Sequence, residues 1–133
     1  MKIALVAHGD NPPYLKELFN GEGFELVEKE CNNEKEYIDL LKDADGALIY
    51  LHPLTTKEVM EQCSNLKVIS RGGVGVDSVD LEAATELGIC ICNTPGINTT
   101  EVADHAMAML LSLTRKIREQ DALVKKGYWA DRT

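Results

Sequence analysis

The sequence has few basic residues, with 14 Lys and Arg against 22 Asp and Glu, and its formal net charge is −8. Nucleic acids attract basic surfaces, so this balance argues against a nucleic-acid partner. The basic residues are scattered, apart from short clusters near Lys116 and Lys125. That distribution also argues against a polybasic patch that would bind a membrane surface.

Long apolar runs are absent as well. No stretch approaches the roughly 20 apolar residues that span a bilayer, so we expect no membrane segment. The start of the chain has one Lys and a short apolar stretch, and it lacks the longer apolar region and the cleavage site of a secretory signal. We therefore expect residues 2–7 to form a first strand and the protein to reside in the cytoplasm.

The four cysteines form no C-x-x-C pair, and that spacing is typical of zinc sites and thioredoxin-like redox sites. The sequence therefore predicts no metal site, and it favours reduced thiols in a cytoplasmic location. Cys90 and Cys92 lie two residues apart in a strand-like segment, so their side chains face the same side. We expect both to be small residues of the core.

Apolar strand-like segments alternate with helix-like segments along the 133 residues, a length that fits one compact domain. Apolar strands separated by helices predict a parallel sheet covered on both faces. The predicted fold class is α/β: a flavodoxin-like doubly wound parallel five-stranded sheet of order 2-1-3-4-5, plus a long C-terminal helix. The predicted strands are residues 2–7, 24–27, 46–50, 66–70 and 89–92, and the shorter helices are residues 12–20, 33–42, 55–60 and 81–87.

Two of the shorter helices carry recognisable start signals. Thr55 and Glu58 have the spacing of a capping box, in which a hydroxyl and a carboxylate satisfy free backbone amides. Asp80 precedes the apolar residues of the next helix and is its predicted cap.

A long helical pattern fills the C-terminal part of the chain. Asn98, with Glu101 three residues later, predicts a capped start, and an unbroken pattern runs to about Lys126, where Gly127 ends it. The first half is apolar nearly all round, and such a helix must be buried against something. Its apolar positions are Val102, Ala103, Ala106, Met107, Met109, Leu110, Leu111, Leu113 and Ile117.

Residues 71–77, which follow the predicted fourth strand, contain three glycines. Ligands of an open parallel sheet bind beyond the carboxyl ends of the strands, where this loop meets residues 8–11 and 50–53. Glycines let a backbone approach a ligand and point N–H groups at an anion, although a sharp turn without a ligand has the same composition. The loop is no dinucleotide fingerprint, because Ser78 stands where the third glycine belongs.

An ordered set of motifs resembles a known family. RGGVGVD, DLEAA, GI, NTPG and VADH follow one another at the spacing of D-isomer-specific 2-hydroxyacid dehydrogenases, and the chain resembles the phosphoglycerate dehydrogenase-like members of this family. The specific resemblance covers about residues 66–118, and a looser resemblance of fold covers the rest. A single glycine loop would be a weak signal, whereas the ordered set is specific.

The resemblance implies a substrate site. In the family, backbone amides of the glycine loop hold the substrate carboxylate, which implies this role for Gly72, Gly73 and Val74. The loop after the third strand also faces substrate there, which implies roles for Tyr50 and His52. His52 is equally compatible with a plain loop residue.

Three further points depend on the resemblance. Phosphoglycerate dehydrogenases carry an Arg where this chain has Tyr50, a departure that argues against carrying over a phosphorylated substrate. Arg71 is placed either to reach an anion or to pair with an acidic neighbour. Asn98 matches an Asn that touches substrate in related formate dehydrogenases, and it also fits a plain helix cap.

The resemblance implies that residues 1–98 form the substrate-binding domain, and that residues 99–133 form an interdomain and dimerisation helix with the start of a nucleotide-binding domain. The family's catalytic Arg, Glu and His and its G-x-G-x-x-G loop would lie beyond residue 133. We therefore expect no catalytic, cofactor-binding or metal-binding residue in this chain. The parent enzyme would move hydride between NAD and C2 of a D-2-hydroxy acid, and the isolated chain is expected to be inactive and not to bind NAD.

The expected partners are a small 2-hydroxy or 2-oxo acid and a second copy of the chain, paired through the helix of residues 99–126. Neither nucleic acid nor membrane is expected. The alternative is a non-enzymatic module of the same fold that binds a small anion or dimerises. A downstream strand leading into G-x-G-x-x-G would favour the enzyme.

Overall fold

A parallel sheet forms the centre of the computed structural model, which describes residues 1–7 and 12–129. Its strands are β1 (Lys2–Val6), β2 (Glu25–Lys29), β3 (Gly46–Ile49), β4 (Val68–Arg71) and β5 (Cys90–Cys92). The order is β2-β1-β3-β4-β5, and every adjacent pair is parallel. The predicted fold class and strand order are confirmed.

Six helices are found in the described ranges: α1 (Tyr14–Gly21), α2 (Glu34–Leu41), α3 (Lys57–Glu61), α4 (Leu81–Glu86), α5 (Thr99–Thr114) and α6 (Ile117–Lys125). The chain divides into two compact units. Met1–Ile97 contains the sheet with α1 to α4, and Asn98–Thr133 contains α5 and α6.

The core of the first unit lies where α2, α3 and α4 cover one face of the sheet. Tyr37, Leu41, Val59, Met60 and Ile69 are completely or almost completely buried there. Strand residues alternate between the two faces of a sheet. The opposite face therefore carries the intervening residues, among them a row formed by Ile3, Gly46, Val68 and Cys90, which the strand register places side by side.

The caps of the short helices correct one prediction and support another. Asp80 Oδ1 accepts a hydrogen bond from Ala83 N at 3.0 Å, as expected for the cap of α4. The predicted cap at Thr55 is wrong, because α3 begins after Thr56, whose side chain makes no capping bond. Thr55 is buried instead, and its hydroxyl is hydrogen-bonded to the phenol of Tyr37.

The prediction of an unbroken C-terminal helix is also wrong. Lys116 adopts the left-handed conformation, with φ of 51°, and separates α5 from α6. Just before it, the Thr114 hydroxyl bonds back to the carbonyls of Leu110 and Leu111 at 2.9 and 3.3 Å. Such back-bonding favours a bend. The break falls where the apolar pattern of the first half gives way to the charged second half.

Cys90 and Cys92 are exposed, so the prediction that they are core residues is wrong. The intervening Ile91 is partly buried and packs against the core. Because side chains alternate along a strand, the two thiols lie on the other face of β5. β5 is also the last strand of the sheet.

Candidate functional site

Three segments follow neighbouring strands at the same edge of the sheet. Tyr50 follows β3, residues 72–75 follow β4, and Asn93 follows β5. Because these strands are parallel, their carboxyl ends share the edge where such sheets bind ligands. Residues 8–11, which the sequence also assigns to this edge, lie outside the described residues.

Two of the three amides that the resemblance assigns to a carboxylate are engaged with protein carbonyls. The N–H of Gly72 donates to Ile49 O at 2.8 Å and extends the pairing of β3 with β4. The N–H of Gly73 donates to Arg71 O at 2.8 Å. In this conformation neither group is available to a ligand.

The next two amides differ. Among the described residues, no acceptor is found for the N–H of Val74 or Gly75. The carbonyl groups of the loop are tied down instead, since Gly73 O accepts from Thr94 N at 3.1 Å and Val74 O accepts from Asn93 Nδ2 at 2.7 Å. The loop is thus fixed through its carbonyls, and Val74 and Gly75 are its candidate anion donors.

Arg71 lays its guanidinium against the same loop. A Cβ on Gly73 would overlap Arg71 Nη1 and would lie 2.5 Å from its Cζ. The Nε atom is buried and has no hydrogen-bond partner in residues 1–7 and 12–129, and Arg71 forms no ion pair with another residue of these ranges. Gly73 therefore leaves space for a cation whose hydrogen-bonding capacity is not used up by the protein.

Tyr50 covers the start of the loop. A Cβ on Gly72 would lie 2.8 Å from Tyr50 Cε1 and 3.1 Å from its Cδ1, so the ring rests on the glycine Cα. The hydroxyl of Ser78 reaches the carbonyl of Tyr50 at 3.5 Å. Gly72 is required here for close approach of an aromatic ring, since neither it nor Gly73 has a positive φ.

A set of buried hydrogen bonds joins the segment after the glycine loop to the segment after β3. Thr55 N donates to Ser78 O at 2.8 Å, and Asp80 N donates to Thr55 O at 3.0 Å. The Tyr37 phenol and Thr55 Oγ1 lie 2.6 Å apart. Burial raises the pKa of Tyr37 to about 12, and the hydrogen bond to Thr55 opposes part of this rise. The phenol therefore stays neutral and holds α2 to both loops.

His52 and Asn98 are the other two predicted site residues. His52 is exposed, and no polar partner for its ring appears in the part of the chain that the structure describes. Asn98 occupies the N-cap position of α5, but its side chain makes no capping bond, and it belongs to the second unit. Their roles in substrate binding remain predictions.

Some residues around the loop were not predicted as part of a site. In the sequence Asn93 stands within the NTPG motif, and its position directly after a strand is the available signal. Gly75 was visible in the loop, but its free amide depends on which carbonyls its neighbours reach. The pairing of Tyr37 with Thr55 spans 18 residues and leaves no local sequence signal.

The glycine loop does not fit a dinucleotide. A dinucleotide-binding loop opens directly into a long helix, whose N-terminus meets the pyrophosphate. Here α4 begins only at Leu81, has 6 residues and is capped by Asp80. The described residues also contain no group of three or more His, Cys, Asp or Glu suited to a metal ion. None of the described helices is long and apolar enough to cross a membrane.

A family model confirms the resemblance. Residues 4–125 match the model described as D-isomer specific 2-hydroxyacid dehydrogenase, catalytic domain. The chain belongs to this family.

Two curated relatives of the chain are D-3-phosphoglycerate dehydrogenases. The protein from Sus scrofa is 37% identical over 117 residues, which are 88% of this chain and 22% of the relative. The protein from Archaeoglobus fulgidus is 38% identical over 107 residues, which are 80% of this chain and 20% of the relative. The chain thus spans about a fifth of the length of these relatives.

Solved structures support the same assignment. The NAD-dependent formate dehydrogenase from Staphylococcus aureus, in complex with NAD, is 31% identical with a TM-score of 0.78 and matches 97% of this chain and 43% of its own. The NAD+-bound 3-phosphoglycerate dehydrogenase of Entamoeba histolytica is 28% identical with a TM-score of 0.72. The match covers 84% of this chain and 38% of the Entamoeba chain. Each solved chain is more than twice as long as the part that is shared.

Proposed function

We propose that this chain binds the carboxylate of a small 2-hydroxy or 2-oxo acid at residues 71–75, as the substrate-binding portion of an NAD-dependent D-2-hydroxyacid dehydrogenase. The observation that carries this proposal is the position of the Arg71 guanidinium beside Gly73, on a short loop with two amides that have no acceptor among the described residues. Family membership supplies the chemical class of the ligand.

The donors suit a carboxylate. A carboxylate has two oxygen atoms that each require a hydrogen-bond donor. The loop offers two kinds of donor, the backbone amides of Val74 and Gly75 and the guanidinium of Arg71. Each hydrogen bond to a charged group contributes about 1.5–3 kcal/mol. Binding is opposed by ordering of the ligand, so a net of about 4 kcal/mol, which is a Kd near 1 mM, is the expected scale.

Tyr50 limits the ligand class. Its ring rests on Gly72 beside the proposed carboxylate site, and a phenol supplies no positive charge to a phosphate. We therefore propose small 2-hydroxy and 2-oxo acids and do not extend the proposal to phosphorylated ones.

The hydride chemistry of the parent enzyme would require NAD. Two of the similar structures are complexes with NAD or NAD+, but the loop of this chain does not fit a dinucleotide. The residues described here bind and orient the acid. The nucleotide, the proton donor and the hydride step would depend on residues outside residues 1–133.

We propose further that the chain pairs with a second copy through α5. Val102, Met109 and Leu113 are 60%, 52% and 79% exposed on this helix. Each large apolar side chain that stays in water forgoes about 1.5–3 kcal/mol of burial. A two-fold pairing of the same surface buries such residues on both chains. The four free cysteines are compatible with function in the reducing cytoplasm.

The direct test of the proposed function is titration of the chain with pyruvate, followed by backbone amide NMR. The expected result is a saturable shift confined to residues 71–75. Absence of saturable binding up to tens of millimolar, on the order of ten times the expected Kd, would contradict it.

A further inference from the structure

The two exposed cysteines of β5 form a pair that plays no part in the proposed carboxylate site. Cys90 and Cys92 lie two residues apart in β5, so their side chains are on the same face of the strand, and both are exposed. The strand is fixed on one side, where it pairs with β4. The other side of β5 has no neighbouring strand in the sheet.

Strand geometry makes a disulfide between these two residues unfavourable. Residues two apart in a parallel strand have Cα atoms about 6.6 Å apart, which is close to the upper limit for a disulfide, about 6.8 Å. Their Cβ atoms point in the same direction, whereas a disulfide requires a Cβ separation near 3.8 Å. Closing the bond would bend β5 and disturb its pairing with Val68 and Ser70.

The same geometry suits one soft ion held between two sulfur atoms. With metal–sulfur bonds of about 2.3 Å, two thiolates on a linear ion lie about 4.6 Å apart. Rotations about the Cα–Cβ bonds bring two thiols on the same strand face to this separation, with no movement of the backbone. Thiolate ligands select soft ions such as Cu⁺.

The number of available protein ligands excludes a structural zinc site. Structural zinc requires four protein ligands. Among the described residues, no His, Cys, Asp or Glu joins the pair to make a group of three. The cross-strand neighbours are Val68 and Ser70, and neither is a ligand for a soft ion.

We propose that Cys90 and Cys92 form a two-coordinate site for a monovalent thiophilic cation, Cu⁺ in particular. Two thiols bind one Cu⁺ and release two protons, which gives a bis-thiolate with one negative charge. Copper and sulfur keep their oxidation states. The net charge of −8 draws cations toward the chain.

The test is an anaerobic titration of the full 133-residue chain with Cu⁺ against a chromophoric Cu⁺ chelator. The expected result is one Cu⁺ per chain, and X-ray absorption with two sulfur ligands per copper. Cys90→Ser and Cys92→Ser should each weaken Cu⁺ binding by about a hundredfold or more. A single remaining thiolate no longer has a second thiolate nearby, at high effective concentration, to bind the same ion.

Cys31→Ser is the matched control, because Cys31 lies beyond β2 at the opposite end of the sheet. It should bind Cu⁺ like the unchanged chain. The proposal is overturned if the unchanged chain does not compete with the chelator. It is equally overturned if Cys92→Ser, with unaltered circular dichroism, binds Cu⁺ as tightly as the unchanged chain.

Discussion

The Tyr37 phenol and the Thr55 hydroxyl form a 2.6 Å hydrogen bond inside the core. Both side chains are almost fully buried, and the backbone of Thr55 is bonded in turn to Ser78 and Asp80. This single contact therefore links α2 to the segments that follow β3 and β4. These buried hydrogen bonds fix the backbone at the carboxyl edge of the sheet, while the side chain of Asn93 fixes the glycine loop through the carbonyl of Val74.

Tyr37→Phe should destabilise the chain by about 1–3 kcal/mol, because it leaves the hydroxyl of Thr55 buried without its partner. Urea unfolding followed by circular dichroism measures the loss. Thr55→Val should cost a similar amount, and the double variant should cost less than the sum of the two. Strictly additive losses would show that the two hydroxyl groups are not coupled.

The same tyrosine should make stability depend on alkaline pH. Burial raises its pKa from 10.0 to about 12 in the folded chain, so the folded state retains a proton that the unfolded chain loses. Its contribution is fully present below pH 10 and is lost between about pH 10 and 12, on the order of 2–3 kcal/mol. Unfolding free energies of the unchanged chain and of Tyr37→Phe should converge across this interval. A constant difference would contradict the assigned pKa.

Gly73→Ala should weaken carboxylate binding without unfolding the chain. The new methyl group would occupy the space of the Arg71 guanidinium, so that side chain must move away. Loss of one charge-assisted hydrogen bond corresponds to at least about a tenfold rise in Kd. Gly21→Ala is the control, because nothing lies within 4 Å of its added Cβ and its φ is not positive. Equal Kd values for both variants would remove Arg71 from the site.

Met109→Asp should convert a dimer into monomer or aggregate. The substitution places a charge in the middle of the apolar surface of α5, where Met109 is 52% exposed in the single chain. Sedimentation velocity at micromolar concentration gives the molecular mass. Gln120→Asp on α6 adds the same charge at an exposed polar position and should stay dimeric. A compact monomer of the unchanged chain would refute pairing through α5.

The fold followed from the sequence because its signals repeat. Five apolar strand-like segments separated by helices predict a doubly wound parallel sheet, and the structure has this sheet. The Asp80 cap could be identified from local residue types. Thr55 had the same local signal, yet its hydroxyl is hydrogen-bonded to a buried phenol 18 residues away. The break at Lys116 depends on the left-handed conformation of one residue, and the helical periodicity of the sequence gives no signal for it.

The site was predictable in position but not in detail. The glycines and their place after β4 predict an anion-binding loop, and the ordered motifs predict the chemical class of its ligand; both stay predictions. Which amides stay free depends on hydrogen bonds of Gly72 to Ile49 and of Gly73 to Arg71, and these form only when the strands pair. The exposure of Cys90 likewise depends on which face of β5 the helices cover, which alternation alone does not decide.

The most direct measurement compares pyruvate with pyruvamide, its neutral counterpart, in amide NMR titrations of the unchanged chain and of Arg71→Met. Pyruvate should shift the amides of Val74 and Gly75 with a Kd near 1 mM, on the scale of two or three charge-assisted hydrogen bonds. Pyruvamide should not shift them, and Arg71→Met should raise the Kd for pyruvate by at least about tenfold. Equal responses to the two ligands, or an unchanged Kd in Arg71→Met, would contradict carboxylate binding at this loop.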